Sequence, residues 1–275
     1  MRVYISADME GVTGVTHPQD VIPGRPQYER FRRFLTADVN AAIEGASQAG
    51  ATEFLVNEAH DGMRNVFLED LDGRAELVVG SSKPLSMMEG FGGSDVAFFV
   101  GYHARAGVEG ILSHTFHHPS VVTDVQLNGA PCSEARMNAA LAGLSGTPVG
   151  LVTGDDRTCE EARSLYTGVQ TARVKTAVDR YTARCLPQKA ALDLIREAAR
   201  GAVRGVGDLA PYAPGPPYTF TVEFATASTA ASVMFFPLLE RVDDRRVSWT
   251  HDDYETAFKM FIGVMRMSGS DPDYG

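Results

Sequence analysis

The chain has 275 residues, 44% of them hydrophobic, and a formal net charge of −10. That length holds one large domain or two modest ones with a sizeable core, and the apolar content excludes a disordered chain. The acidic balance speaks against a nucleic-acid or anionic-membrane partner, which needs clustered Lys and Arg, and no run approaches the roughly eighteen apolar residues of a membrane span; a small, cationic or metal ligand is expected.

RVYISA (2–7) reads as the first strand and runs into Asp8-Met9-Glu10. In extended chain residues two apart share a face, so two carboxylates would meet there. Such a pair is costly unless a proton or a cation lies between them. The apolar start VYISA is too short for a signal-peptide core, and Cys132, Cys159 and Cys185 are scattered, odd in number and without a CxxC. Reduced thiols in a cytoplasmic protein are the expectation.

YERFRRFLTADVNAAIEGASQAG (28–50) carries apolar residues at intervals of three and four and ends in Gly50, which predicts a helix. EFLVNEA (53–59), ELVVG (76–80), DVAFFVGY (95–102) and PVGLVTG (148–154) read as strands, and SEARMNAALAGLSG (133–146) and DRTCEEARSLYTG (156–168) as helices. SVVTDVQLNGAP (120–131) alternates and contains Asn128-Gly129, the signature of a hairpin or turn. QTARVKTAVD (170–179) predicts one more strand, followed by a helix starting at Pro187. This alternation predicts an α/β fold, a mainly parallel sheet flanked by helices, with a smaller C-terminal α/β lobe. The expected division is a catalytic domain at 1–204, a Gly/Pro-rich linker at 205–217, and a lobe at 218–275 built from TFTVEFA, RVSWT and the amphipathic DYETAFKMFIGVMRM. One continuous domain with a Pro-rich crossover is the alternative.

Three predicted strands run into polar residues of related kind: Asp8 and Glu10 after the first, Glu58 and His60 after the second, His103 after the fourth. Ligands collect at the carboxyl ends of strands in open α/β sheets, and carboxylates with imidazoles suit Zn²⁺ or another first-row divalent ion. His114, His117 and His118 cluster in ILSHTFHHPS. Glu134 reads by itself as a first-turn acid complementing a helix dipole, and Asp155 and Asp156 as helix-capping or supporting carboxylates. A P-loop and a GxSxG elbow are both absent from the sequence.

SADMEG (6–11) resembles the SxDxEG signature of the zinc D-aminopeptidase family, the peptidases of dipeptide-transport operons. The similarity continues through LVNEAHDGMRN, KPLSMMEG, VGYHARAG, LSHTF, NGAPCSEARMNA, VTGDDR and VKTAV, in order along most of the chain. The resemblance implies two zinc ions per subunit, with Asp8 bridging them, Glu10 completing one, and His60, His103 and Glu134 binding the other. It implies His114 as the catalytic residue and a metal-activated water as the attacking group. Implied too are substrates with an N-terminal D-residue of the D-Ala type, and a closed homo-oligomer, for which FKMFIGVMRM or ASVMFFPLL offer apolar surface. FHHPS departs from the family pattern and leaves His117 and His118 without a role, and Glu58 or Asp61 are candidates to receive the substrate amine. A metal-dependent amidase or L-peptidase, or a non-catalytic metal-binding regulator, are the competing readings.

Overall fold

Thirteen strands and seven α-helices run through residues 1–269, the part of the chain that the structure, a computed structural model, describes. The strands are β1 (Arg2–Ala7), β2 (Glu53–Glu58), β3 (Ala75–Val78), β4 (Val96–Val100), β5 (Val122–Leu127), β6 (Ala130–Pro131), β7 (Val149–Gly154), β8 (Gln170–Arg173), β9 (Lys175–Asp179), β10 (Thr182–Cys185), β11 (Tyr218–Phe224), β12 (Glu240–Arg241) and β13 (Arg246–His251). The helices are α1 (Pro18–Val21), α2 (Tyr28–Gln48), α3 (Glu134–Leu144), α4 (Asp156–Leu165), α5 (Gln188–Arg204), α6 (Ala227–Val233) and α7 (Tyr254–Ser268).

Six strands pair in the order β3-β2-β1-β4-β7-β8, every pair parallel. Parallel strands covered on both faces read as unbroken apolar runs, and β1, β4 and β7 have that pattern. Their period of two divides the side chains between two cores. Val3 and Ile5 join Leu35, Val39 and Ile43 of α2 and Ile195 of α5. Tyr4 and Phe99 face the other way, into a core shared with Met137 and Leu141 of α3 and Phe258 and Phe261 of α7.

That second core is closed by a five-stranded antiparallel sheet, β12-β13-β11-β5-β6. Phe220, Val222 and Phe224 point inward from β11, while the residues between them are half-buried, as expected where one face packs and the other meets solvent. The Asn128-Gly129 turn joins β5 to β6, both residues at positive φ (53° and 75°), the geometry a tight hairpin demands. Because β11 pairs with β5 from Phe220↔Leu127 to Phe224↔Val122, the C-terminal strands share their sheet with residues 122–131 of the segment assigned to the catalytic domain. The 205–217 segment packs against α3, Tyr212 accepting a hydrogen bond of 2.7 Å from Arg136 Nε.

The single strand expected over 170–179 is two. β8 stays on the parallel sheet, the chain turns at Val174, whose N–H donates to the Gly154 carbonyl (3.0 Å), and β9 leaves to pair with β10. FKMFIGVMRM is largely core, whereas ASVMFFPLL leaves Phe235 86% and Leu238 64% exposed. Among the described residues no helix is long and apolar enough to cross a membrane.

Candidate metal centre

β1 lies between β2 and β4, so the chain segments leaving these three strands emerge side by side at one sheet edge. The first and third are pressed together: Asp8 N–H donates to the Val100 carbonyl (2.8 Å) and Gly11 N–H to the Gly101 carbonyl (2.7 Å). A Cβ on Gly11 would sit 2.0 Å from the Tyr102 carbonyl oxygen, and one on Gly101, at φ +73°, 2.1 Å from the Asp8 carbonyl oxygen. Only glycine permits this approach, which accounts for the last residue of SADMEG. β1 ends at Ala7, so Asp8 and Glu10 meet through a turn and not through strand alternation.

The two carboxylates are 2% and 5% exposed. Asp8 divides its oxygens, Oδ1 lying 3.4 Å from His60 Nδ1 and Oδ2 3.5 Å from His103 Nε2. Glu10 Oε2 is 3.0 Å from the same His60 Nδ1. Glu134, the first residue of α3, brings Oε1 to 3.4 Å from His103 Nε2 and 3.8 Å from His114 Nε2. Geometry thus groups His60 with Asp8 and Glu10, and His103 with Asp8 and Glu134, where the resemblance implied His60, His103 and Glu134 together. A further group joins Glu10, His103 and His114, and in each group the candidate ligand atoms lie within 4.8 Å of one another.

The outer nitrogen of each imidazole settles its proton. His60 Nε2 meets the Val21 carbonyl (2.9 Å), His103 Nδ1 the Ala104 carbonyl (3.0 Å), and His114 Nδ1 the Leu112 carbonyl (2.8 Å). A carbonyl only accepts, so these nitrogens donate, and in the neutral rings the inner nitrogens turn lone pairs toward the carboxylates. Asp8 Oδ2 and Glu10 Oε2 accept no hydrogen bond although both are buried. Lone pairs opposed across buried carboxylates require positive charge between them.

Without a cation the proton supplies it. Burial would push the His103 imidazole down, but Glu134, Asp8 and Glu10 raise it to about 10. Burial and the negative neighbour Glu10 raise Asp8 to about 7. His114, stacked on His103 with ring centroids 4.0 Å apart, goes the other way: burial and the adjacent His103 lower it to about 4. A divalent ion would replace those protons, and the donor set of two imidazoles, His60 and His103, and three carboxylates, Asp8, Glu10 and Glu134, fits zinc or a neighbouring first-row metal.

These residues floor a cleft of about 420 Å³. Among the described residues six non-glycines have positive φ, and five of them, Asp61, Met63, Ser86, Leu112 and Phe116, line it. Strained backbone concentrates where a constellation is held against local preference. His117 lines the cleft and donates from Nε2 to the Met265 carbonyl (2.8 Å), tying its loop to α7, and His118 bonds Ser120 Oγ (3.0 Å). Glu58 cannot greet a substrate amine: Oε1 accepts from the N–H groups of Asn65 (2.6 Å) and Val66, and Oε2 from Asn65 Nδ2 (3.0 Å). Asp155 caps α4 through Thr158 N–H (2.8 Å), and Asp156 accepts from Ala177 N–H (2.7 Å).

Sequence reasoning passed over the scaffold. Lys175, fully buried, donates from Nζ to the carbonyls of Glu10, Val12 (2.9 Å) and Val15 (2.7 Å), fixing the loop that carries Glu10. Ser6 Oγ, Tyr102 OH and Asn138 Nδ2 form a buried chain beneath Asp8, with links of 2.7 and 2.9 Å. A lysine inside an apolar strand, as in VKTAV, was the available signal for the first.

Residues 1–262 match the M55 peptidase family, described as D-aminopeptidase. The chain is 36% identical to a D-aminopeptidase of Bacillus subtilis (strain 168) over 238 residues, 86% of each protein. The solved structure of the Zn-dependent D-aminopeptidase DppA from Bacillus subtilis, a self-compartmentalizing protease, superposes with a TM-score of 0.96 at 32% identity, covering 100% of both chains.

Proposed function

The chain belongs to the M55 family of D-aminopeptidases, and from that premise we propose that it is a dinuclear zinc enzyme releasing N-terminal D-residues of the D-alanine type from short peptides. One ion would be held by Asp8, Glu10 and His60, the other by Asp8, His103 and Glu134. The observation that carries this reading is the division of Asp8, one oxygen turned to each histidine. Zinc is supported by the donor set and by the Zn-dependent solved relative.

When bound, the ions would acidify a water and polarise the scissile carbonyl. The chain's own residues supply the rest. Asp8, Glu10 and Glu134 carry the negative charge that offsets the ions, and the carbonyls of Val21 and Ala104 hold His60 and His103 in the tautomers that present a lone pair inward. His114 stays neutral at pH 7 and fixed at Nδ1, so its Nε2 is free to accept a proton at the cleft and return it to the leaving amine. Asp61, on the cleft wall, is the remaining carboxylate for the substrate amine.

We read the exposed Phe235 and Leu238 as contact surface in a closed homo-oligomer, in keeping with the self-compartmentalizing relative. Release of D-alanine from D-Ala-D-Ala against L-alanine from L-Ala-L-Ala, by zinc-loaded protein with and without chelator, tests the catalytic reading. Chelator-sensitive cleavage of the D-peptide is expected. Cleavage of the L-peptide alone would move the enzyme to the competing peptidase reading, and equilibrium sedimentation tests the assembly.

A further inference from the structure

The cleft brings together metal-binding carboxylates and two arginines. Its floor carries the carboxylates of Asp8, Glu10 and Glu134, while two guanidinium groups, Arg180 and Arg266, stand on its walls. Arg180 follows β9 and is half-buried; its Nη1 donates to the Ser113 carbonyl and to Ser113 Oγ (3.2 Å), and its Nε to Tyr181 OH (3.3 Å). Among the described residues Arg266, in the last turn of α7, makes one long contact, from Nη2 to the Ser81 carbonyl (3.4 Å). Every one of these partners is neutral. They aim the guanidinium groups without offsetting their charge, and among the described residues neither arginine has an ion-pair partner, in a chain of net charge −10.

An unpaired, half-buried arginine at an active cleft matches a carboxylate, which its planar fork binds by charge-assisted hydrogen bonds. We infer that Arg180, assisted by Arg266, is a binding site for the C-terminal carboxylate of a short peptide, making the enzyme selective for di- and tripeptides with a free acid end. The inference rests on reading the cleft as a peptidase site. With its carboxylate at the arginines, a dipeptide would lay its scissile bond over the metal-binding floor and leave its amine for Asp61 on the cleft wall. Arg180 is held through Ser113, the residue before His114, so a carboxylate docked there would set the scissile bond near the imidazole. Such binding away from the reacting atoms orients substrate.

The test compares D-Ala-D-Ala with D-Ala-D-Ala amide on zinc-loaded wild type, Arg180→Gln, Arg180→Lys and Arg266→Gln. Wild type should show a KM for the free acid roughly 10- to 100-fold below that of the amide, the size of a charge-assisted contact. Arg180→Gln should raise the acid's KM to the amide's and so erase the preference; Arg180→Lys should recover part of the preference, and Arg266→Gln should lose only some of it. Equal KM values for acid and amide in wild type would overturn the inference. So would a fall in kcat on both substrates in Arg180→Gln with the preference intact, which is the signature of a purely structural role. Should wild type cleave neither peptide, the peptidase reading fails on its own, and calorimetric titration of the same acid and amide into the zinc-loaded protein decides the subsite: tighter binding of the acid, lost in Arg180→Gln, sustains it, and equal binding ends it.

Discussion

Glu58 and Asp8 follow one another across neighbouring strands, both buried, and their surroundings are opposite in kind. Glu58 receives three N–H donors from Asn65 and Val66. Asp8 receives one, from Met9 to Oδ1, and its Oδ2 faces the inner nitrogen of His103 with no hydrogen bond. A carboxylate whose lone pairs are filled by backbone donors is an anchor for the chain; one left open to imidazole lone pairs is waiting for a cation. Both are buried carboxylates, so it is the identity of the neighbours that separates scaffold from site.

The strongest way to break that contrast is to remove the open member. Asp8→Ala should lose both zinc ions, read by elemental analysis of dialysed protein, and kcat/KM on D-Ala-D-Ala should fall at least about 10³-fold. Full zinc content in this variant would remove Asp8 from the centre. His114→Ala should separate binding from chemistry: its outer nitrogen is anchored and its Nε2 is 3.8 Å from Glu134. Zinc should remain while kcat drops about 10²- to 10⁴-fold, the range for loss of a proton-transfer group.

Asp38 sharpens the comparison from another side. It lies buried on α2 with both oxygens unpartnered, more open than Asp8, and the charged neighbour acting on it is Lys175. Burial, only partly offset by Lys175, raises its carboxyl from 3.8 to about 8. Between those values the folded chain holds a proton that the unfolded chain has released, so stability contributed at acid pH is lost progressively as pH rises from about 4 to about 8, with no further slope above. Asp38→Asn removes that titration. In urea melts at pH 4, 6 and 8 the variant's advantage over wild type should grow from near zero to a few kcal/mol, and a difference independent of pH would show that Asp38 is ionised throughout.

The parts of the fold legible in the sequence are those with local causes. The strand runs 2–7, 53–59 and 148–154, the 28–50 helix and the Asn128-Gly129 hairpin each carry their own periodicity or turn chemistry, and each is present. The pairing of β11 with β5 joins residues 93 to 102 positions apart and leaves no local mark beyond alternation. Likewise the break at Val174 follows from Lys175 turning inward to three carbonyls of a distant loop. In the site, strand ends disclosed Asp8, Glu10, His60 and His103, because a parallel sheet collects them at one edge. Glu134 sits on a helix start and reads locally as a dipole partner; its ligand role came only from the family resemblance, and its 3.4 Å approach to His103 fits that proposal. Arg180 lay in a turn and had no pattern to betray it.

The smallest expected effect comes from the other satisfied carboxylate. Asp155 Oδ1 accepts from Thr158 N–H and Thr158 Oγ1 (2.8 Å each), and Oδ2 accepts from Ile111 N–H (2.8 Å), joining the start of α4 to the loop that leads to His114. Asp155→Asn keeps one oxygen for the cap and turns an amide donor toward the Ile111 N–H, or the reverse. Either way one acceptor is lost and two donors oppose each other. The cost should be about 1–2 kcal/mol in urea denaturation, with zinc content equal to wild type and kcat reduced no more than about 10-fold through the loosened 111–114 segment. If Asp155→Asn instead released zinc, filled lone pairs would no longer distinguish anchor from ligand, and Glu58, filled in the same way and two residues from His60, would be the next carboxylate to test for a share in the centre.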